Sequence, residues 1–308
     1  MGGVLIGFAI IGFVILVGWL LARFDVVSQE GRLVLNRTSF FAASPALLFT
    51  VLARADVGLL FSGVLAIALV SFVAVALLYA VVARLWLTRE PSRIALAATA
   101  SGYSNVNNIG LPVAIYVIGD ASFIGPMLLL QLLLIAPLLL ATLDILTAGR
   151  ASFVGIITQP LRNPMLIGAT LGAVVAALDI QLPAPVLAPL EILGGAAVPL
   201  MLLAFGISLA GEKPLQPGTG RREVWLAVAL KNAVMPVAAY LLAAFAFDLE
   251  PQLVFACTVM AALPSGQNMY QYALRYDRAT VITRDIVLLT TLLSLPVMLV
   301  VAWVLQPT

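Results

Sequence analysis

Apolar residues fall in stretches of about twenty, divided by short polar or Gly/Pro punctuation, along almost the whole chain. A helix rising 1.5 Å per residue needs a run of about this length to cross a hydrocarbon core roughly 30 Å thick. Reading the runs predicts ten segments. Val4–Ala22, Leu33–Leu52, Gly58–Ala83, Ile94–Ile118 and Phe123–Leu146 form the first half. Met165–Ala177, Val186–Ala210, Val224–Phe247, Leu253–Leu274 and Val281–Leu305 form the second, and the sixth segment is the shortest. The expected fold is all-α and integral to a membrane, with ten crossings and little chain left for any domain outside the bilayer.

Composition agrees with that pattern. The 308 residues are 63% hydrophobic and 10% charged, against roughly 25% charged in a soluble domain, so the natural solvent is lipid. The first run has no basic stretch before it and no small-x-small cleavage site after it, which predicts a mature helix and not a signal peptide. Myristoylation is not expected either, since Met1-Gly2-Gly3-Val4-Leu5-Ile6 lacks the required Ser or Thr. A single cysteine, Cys257, forms no internal disulfide, and with no histidine the commonest metal ligand and proton carrier is missing. No cofactor is expected beyond a coupling sodium ion or proton. The net charge of +2 predicts no nucleic-acid partner.

Charge sets the orientation, because short cytoplasmic loops carry the excess of Lys and Arg. The loops after odd-numbered segments, with the first turns of the segments they lead into, hold 14 of the 16 cations; the exceptions are Arg54, on the opposite side, and Lys231, inside segment eight. Both termini are therefore expected outside, with every odd-to-even loop in the cytoplasm. Five segments per half is an odd number, so two repeats of five would enter the membrane from opposite faces. Three ordered proline pairs point to such repeats: Pro45 and Pro199 are 154 apart, Pro112 and Pro264 are 152 apart, Pro137 and Pro296 are 159 apart. The expected division is 1–154 and 155–308.

Candidate chemistry lies where segments four and nine are interrupted. Segment four carries Gly102-Tyr103-Ser104-Asn105-Val106-Asn107-Asn108-Ile109-Gly110-Leu111-Pro112, and segment nine carries Pro264-Ser265-Gly266-Gln267-Asn268. Pro112 lacks an N–H and clashes with the carbonyl of Asn108, so the helix is expected to unwind or kink there; Pro264 does the same to Met260. Freed backbone groups survive at this depth only if protein or a watered cavity satisfies them. Paired broken helices in inverted halves mark the substrate site of a secondary transporter, their half-helix N-termini favouring an anion and their C-termini a cation. Asn105, Asn107, Asn108, Pro112, Pro264, Ser265, Gln267 and Asn268 are the expected substrate-site residues, with helix ends supplying the attraction in place of a fixed arginine. A sodium site near Asn107, Asn108 and Gln267 is the alternative use of these amides.

Ionisable residues inside a membrane are costly and so are candidates for function. Lys231, about 10 Å inside segment eight at 1.5 Å per residue, is either a charge partner of the site or a snorkelling lysine that reaches the headgroups. Asp144 and Asp285, near cytoplasmic ends, are either interfacial carboxylates or proton-coupling groups. Glu191 is expected at the outer interface, and Gln131 either lines the cavity or bonds a neighbouring helix.

Several stretches resemble the auxin efflux carrier family, the bacterial relatives of plant PIN-type carriers, and the resemblance runs over nearly the whole chain. Leu35-Asn36-Arg37 leading to Pro45-Ala46-Leu47-Leu48-Phe49 resembles the family's second helix, and Gly194 through Pro199 to Ser208 its seventh. Ala262-Leu263-Pro264, Asn268, Ala273 and Tyr276, then Thr290 through Pro296, resemble its ninth and tenth. In segment four, Asn105, Gly110 and Pro112 match the family pattern, while Asn107 and Asn108 stand where it has glycine and an aromatic residue. Those extra amides suit a more polar solute, or supply oxygens for sodium as in the similar bile-acid-symporter fold.

The resemblance implies a scaffold of helices one, two, six and seven and a mobile unit of three to five and eight to ten. It further implies crossing broken helices, elevator-like alternating access, a homodimer and a place in the bacterial inner membrane. The expected function is secondary transport of a small organic anion, such as a carboxylate or indole-type acid, in the direction of efflux. The rivals are a sodium- or proton-coupled symporter and a non-transporting solute or lipid sensor. An enzyme is not expected: there is no His-Glu-x-x-His and no Gly-x-Gly-Asp.

Overall fold

The computed structural model describes residues 2–54, 63–148, 158, 162–210, 215 and 220–305. Among these residues the elements are all helical, without strands. Helix α1 is Gly2–Arg23. Helix α2 covers 29–52, as Gln29–Thr38, a π turn at Ser39–Ala43, and Ser44–Leu52. Helix α3 is Gly63–Trp86, and the start expected at Gly58 lies outside the described residues. Helix α4 is in two pieces, α4a (Pro91–Ala100) and α4b (106–118). Helix α5 covers 121–148, α6 is Pro164–Ala177, α7 is Ala184–Leu209 and α8 is Arg221–Ala246. Helix α9 is again divided, into α9a (Pro251–Ala261) and α9b (Asn268–Tyr276), and α10 is Thr280–Leu305. Six of these, α1, α3, α5, α7, α8 and α10, are long and apolar enough to cross a membrane; α6, α9a and most of α4b are shorter apolar helices.

Local chemistry starts and stops the helices. Ser28 Oγ accepts from Gly31 N–H (3.2 Å) at the start of α2, and Asn163 Oδ1 accepts from Met165 N–H (3.0 Å) and Leu166 N–H (3.3 Å) at the start of α6. Pro91, Pro164 and Pro251 occupy first turns, where a missing N–H costs nothing. Helix α4b ends on Gly119, at φ 86°, a left-handed stop that glycine takes without strain.

Inside helices, proline acts differently. Pro45, Pro112, Pro137 and Pro236 each stand two residues after a π turn, those turns being Ser39–Ala43, Val106–Gly110, Leu130–Ile135 and Leu230–Val234. A widened turn makes room for the pyrrolidine ring and loses one i→i−4 bond without unwinding the helix. This corrects the expectation at Pro112, which is buried in a helix that continues to Ile118. The unwound stretch lies earlier, at 101–105.

The helices pack in two groups. In the first, α1 runs along the second part of α7, and α2 packs against α6 and α7. Small residues let these backbones touch: a Cβ on Gly206 would stand 2.1 Å from the carbonyl oxygen of Ile15, and one on Gly168 would stand 2.4 Å from that of Pro45. In the second group, α3 packs on α4a, α8 and α9a, and α10 packs on α8 and α9. The groups meet chiefly where α1 and α7 touch α4b. Polar burial separates them. Ser71, Ser101, Ser104, Lys231, Ser265, Thr283, Asp285 and Thr290 have no exposure at all, and all belong to the second group. Complete burial of a polar side chain is costly unless a partner meets it, and Ser104, Lys231, Ser265 and Thr290 of this set gather at the breaks in α4 and α9.

Candidate functional site

The two unwound stretches, 101–105 and 262–267, meet in antiparallel fashion. Asn105 N–H donates to the carbonyl of Pro264 (2.7 Å), Gly266 N–H donates to that of Tyr103 (2.8 Å), and Ser104 faces Ser265 between them. The breaks thus satisfy much of each other's backbone, as their depth in an apolar protein requires. Gly266 is needed here, since a Cβ would stand 2.8 Å from the Tyr103 ring. The two hydrogen bonds exchange under one sequence shift of 161, which carries Tyr103 to Pro264 and Asn105 to Gly266. Tyr103 and Pro264 thus take equivalent places on the two strands of the crossing. Pro112 follows the π turn beyond the break and does not take part in the crossing.

Flanking helices brace the crossing at corresponding places. Gln131 of α5 donates its amide to the Ser104 carbonyl (2.9 Å), and Thr290 Oγ1 of α10 accepts from Ser265 N–H (3.1 Å). Gln131 is thus a buried brace and does not line the cavity. Asn105 Oδ1 accepts from Asn108 N–H (3.2 Å) and so caps α4b.

On one side, the N-terminal ends of α4b and α9b present amides. Asn108 Nδ2 donates to Gln267 Oε1 (3.0 Å), and both, with Asn268, line a cavity of about 640 Å³. The far wall is Asn36, Arg37, Ser39, Phe40 and Ser44 of α2, with Met165 of α6 and Met201 of α7, so the hollow lies between the two helix groups. It reaches the surface at Leu33 and Arg37. A recess of about 100 Å³ shares Asn36, Gln267 and Gln271 with it and adds Arg32, Arg284, Ser208 and Thr291. Arg32 Nε is buried there without a hydrogen-bond partner. Arginines stand nearby: Arg37 lines the cavity, and Arg32 and Arg284 line the recess, Arg284 being paired with Asp285.

On the other side, α9a ends on a cation. Lys231 has no exposure, and its Nζ donates to the Ala261 carbonyl (2.7 Å) and to Ser104 Oγ (3.1 Å), with Met235 Sδ at 3.2 Å. It does not reach the headgroups, so the snorkelling reading is removed. The described ion pairs are Arg54–Glu191, Arg93–Glu223 and Arg284–Asp285, none of which involves it. A void of about 20 Å³ adjoins Met235 and Ala261, lined mostly by apolar side chains.

The structure thus brings Asn105, Asn108, Pro264, Ser265, Gln267, Asn268 and Lys231 to or beside the crossing, and the side chain of Asn107 lies outside the described part. Asp144 and Asp285 line neither hollow. Asp144, half-buried, accepts from Tyr276 Oη (2.6 Å). Asp285 is fully buried within the protein near the start of α10; it pairs with Arg284 (2.8 Å) and accepts from Leu215 N–H (3.1 Å). Glu191 is exposed and pairs with Arg54 (2.5 Å). No group of three metal-ligating side chains occurs among the described residues. The residues unassigned from sequence, Asn36, Ser39 and Ser44, form a polar stripe on one face of α2, and Gln271 follows Gln267 by one turn. Gln267/Gln271 and Asn36/Ser39 are spaced by four and three, while Ser44 joins Ser39 on one face at a spacing of five through the π turn, a pattern that apolar-run counting passes over.

A family model described as membrane transport protein matches residues 4–151 and 150–302 of this chain. The chain is 26% identical over 293 residues, 91% of its own length and 89% of the other's, to a protein of Rhizobium meliloti (strain 1021) named "Putative malonate transporter".

Proposed function

We propose that this chain, which belongs to the membrane transport protein family of auxin efflux carriers, is a secondary carrier of small organic anions, with short dicarboxylates as its preferred class. The observation that carries the reading is the pair of half-helix N-termini, with Asn108, Gln267 and Asn268, facing a cavity of about 640 Å³. Helix N-termini and amide N–H groups attract carboxylates, and the rim arginine Arg37 adds long-range attraction. A solute with two carboxylates engages the amide end and the arginine end together. The name of the relative supports that class.

The chain crosses the membrane ten times, as repeats 1–154 and 155–308 inserted in opposite senses, with both termini outside and the α2 end of the cavity facing the bacterial cytoplasm. The internal packing of the two groups supports α1, α2, α6 and α7 as a scaffold, dimeric in the membrane, past which α3–α5 and α8–α10 move as an elevator. The carrier binds substrate between the groups, shifts one against the other, and releases it outward. Competition for labelled malonate in proteoliposomes tests the class. Malonate and close dicarboxylates are expected to compete at concentrations at least tenfold below acetate or an indole acid; equal competition by monocarboxylates overturns the dicarboxylate preference.

A further inference from the structure

Lys231 stands out among the buried groups because no carboxylate among the described residues pairs with it. A buried ammonium is costly without compensation. Its compensation here is dipolar: the Ala261 carbonyl, at 2.7 Å, ends the eleven-residue helix α9a, where the helix dipole is negative. Ser104 Oγ, at 3.1 Å, belongs to the other break. The lysine therefore touches both strands of the crossing from the side away from the amide-lined cavity. A carbonyl, a hydroxyl and a helix C-terminus are oxygen ligands of the kind that hold a small hard cation.

We infer that Lys231 is a tethered cation, filling from within the protein the place at the crossing that a free monovalent ion would otherwise occupy. Its ammonium donates to both breaks and, when charged, offsets part of the charge of an anion bound at Asn108 and Gln267, so no sodium ion is needed to assemble the site. The substrate-facing half of this inference rests on the carrier reading above; the cation-site half does not.

The test uses two readouts. Thermal unfolding of the purified full-length chain is measured in N-methylglucamine, sodium and methylammonium chlorides at equal ionic strength, for wild type, Lys231→Ala and Lys231→Met. Wild type is expected to melt alike in all three. Lys231→Ala is expected to melt lower in N-methylglucamine and to regain several degrees in methylammonium, which fits the space opened beside the 20 Å³ void; Lys231→Met, which refills that space without charge, is expected to show no recovery. Malonate exchange should run in wild type within twofold with or without sodium, and drop at least tenfold in Lys231→Ala, with partial rescue by methylammonium. A sodium requirement in wild type, or a Lys231→Ala protein indifferent to the added cation in melting, overturns the inference. If the alanine variant does not survive purification, sodium dependence of wild-type melting is the deciding measurement. Absence of exchange in wild type defeats the carrier reading alone, since melting is read without transport.

Discussion

On one side of the crossing, two helix N-termini with their amides look into a hollow wide enough for a solute; on the other, a helix C-terminus ends on a lysine beside a void that holds about one water at most. The same pair of breaks produces both environments, because each broken helix exposes a positive end and a negative end at one depth. The protein fills the cation-attracting side with its own side chain and leaves the anion-attracting side open. That difference teaches where the proposed carrier would take its solute: the crossing is a two-sided electrostatic element of which one side is occupied by Lys231.

The sharpest way to break the comparison is to remove the amides of the open side. Asn108→Ala, Gln267→Ala or Asn268→Ala is expected to lower malonate exchange at least tenfold, the loss of one hydrogen bond to a charged group being about 1.5–3 kcal/mol, with folded yield near that of wild type by size-exclusion elution. Unchanged exchange in all three moves the site away from the crossing. Next come the braces. Gln131→Leu strips the Ser104 carbonyl of a donor, and Thr290→Val strips Ser265 N–H of an acceptor. Each is expected to cost about 1–3 kcal/mol by unfolding, the penalty of a buried unsatisfied group. Similar losses in the two would confirm that the breaks are held symmetrically even though their two sides are used differently.

Much of this was legible in the residues. Apolar runs place the helices to within a few residues, and the amides of segments four and nine mark the crossing. How the two breaks pair was not legible from proline spacing, because Pro112 and Pro264 stand in different local structure: one follows a π turn, the other takes part in an extended break. Nor could helical runs reveal that Lys231 meets Ala261 and Ser104, contacts that depend on how α8 packs against two distant breaks. The polar stripe of α2 was hidden for a related reason. Asn36, Ser39 and Ser44 are scattered in an apolar run, and only the approach of α9b shows that they share a cavity.

Two smaller effects sharpen the picture at its edges. Arg37 lies on the exposed rim, so Arg37→Gln is expected to raise the KM for a dicarboxylate a few-fold, to leave kcat nearly unchanged, and to weaken the salt dependence of uptake. Arg54 and Glu191 form an exposed pair far in sequence from either break, with 63% and 46% of their side-chain surface exposed. Arg54→Ala is expected to change stability by less than about 1 kcal/mol and to leave exchange as it was.

The most direct test of the account is counterflow in proteoliposomes loaded with unlabelled malonate, following entry of labelled malonate in sodium-free buffer, for wild type and Asn108→Ala side by side. The account predicts transient accumulation of label above equilibrium in wild type and its loss in the variant. Folded wild-type protein that gives no accumulation, or a variant that accumulates label as well as wild type does, would contradict it.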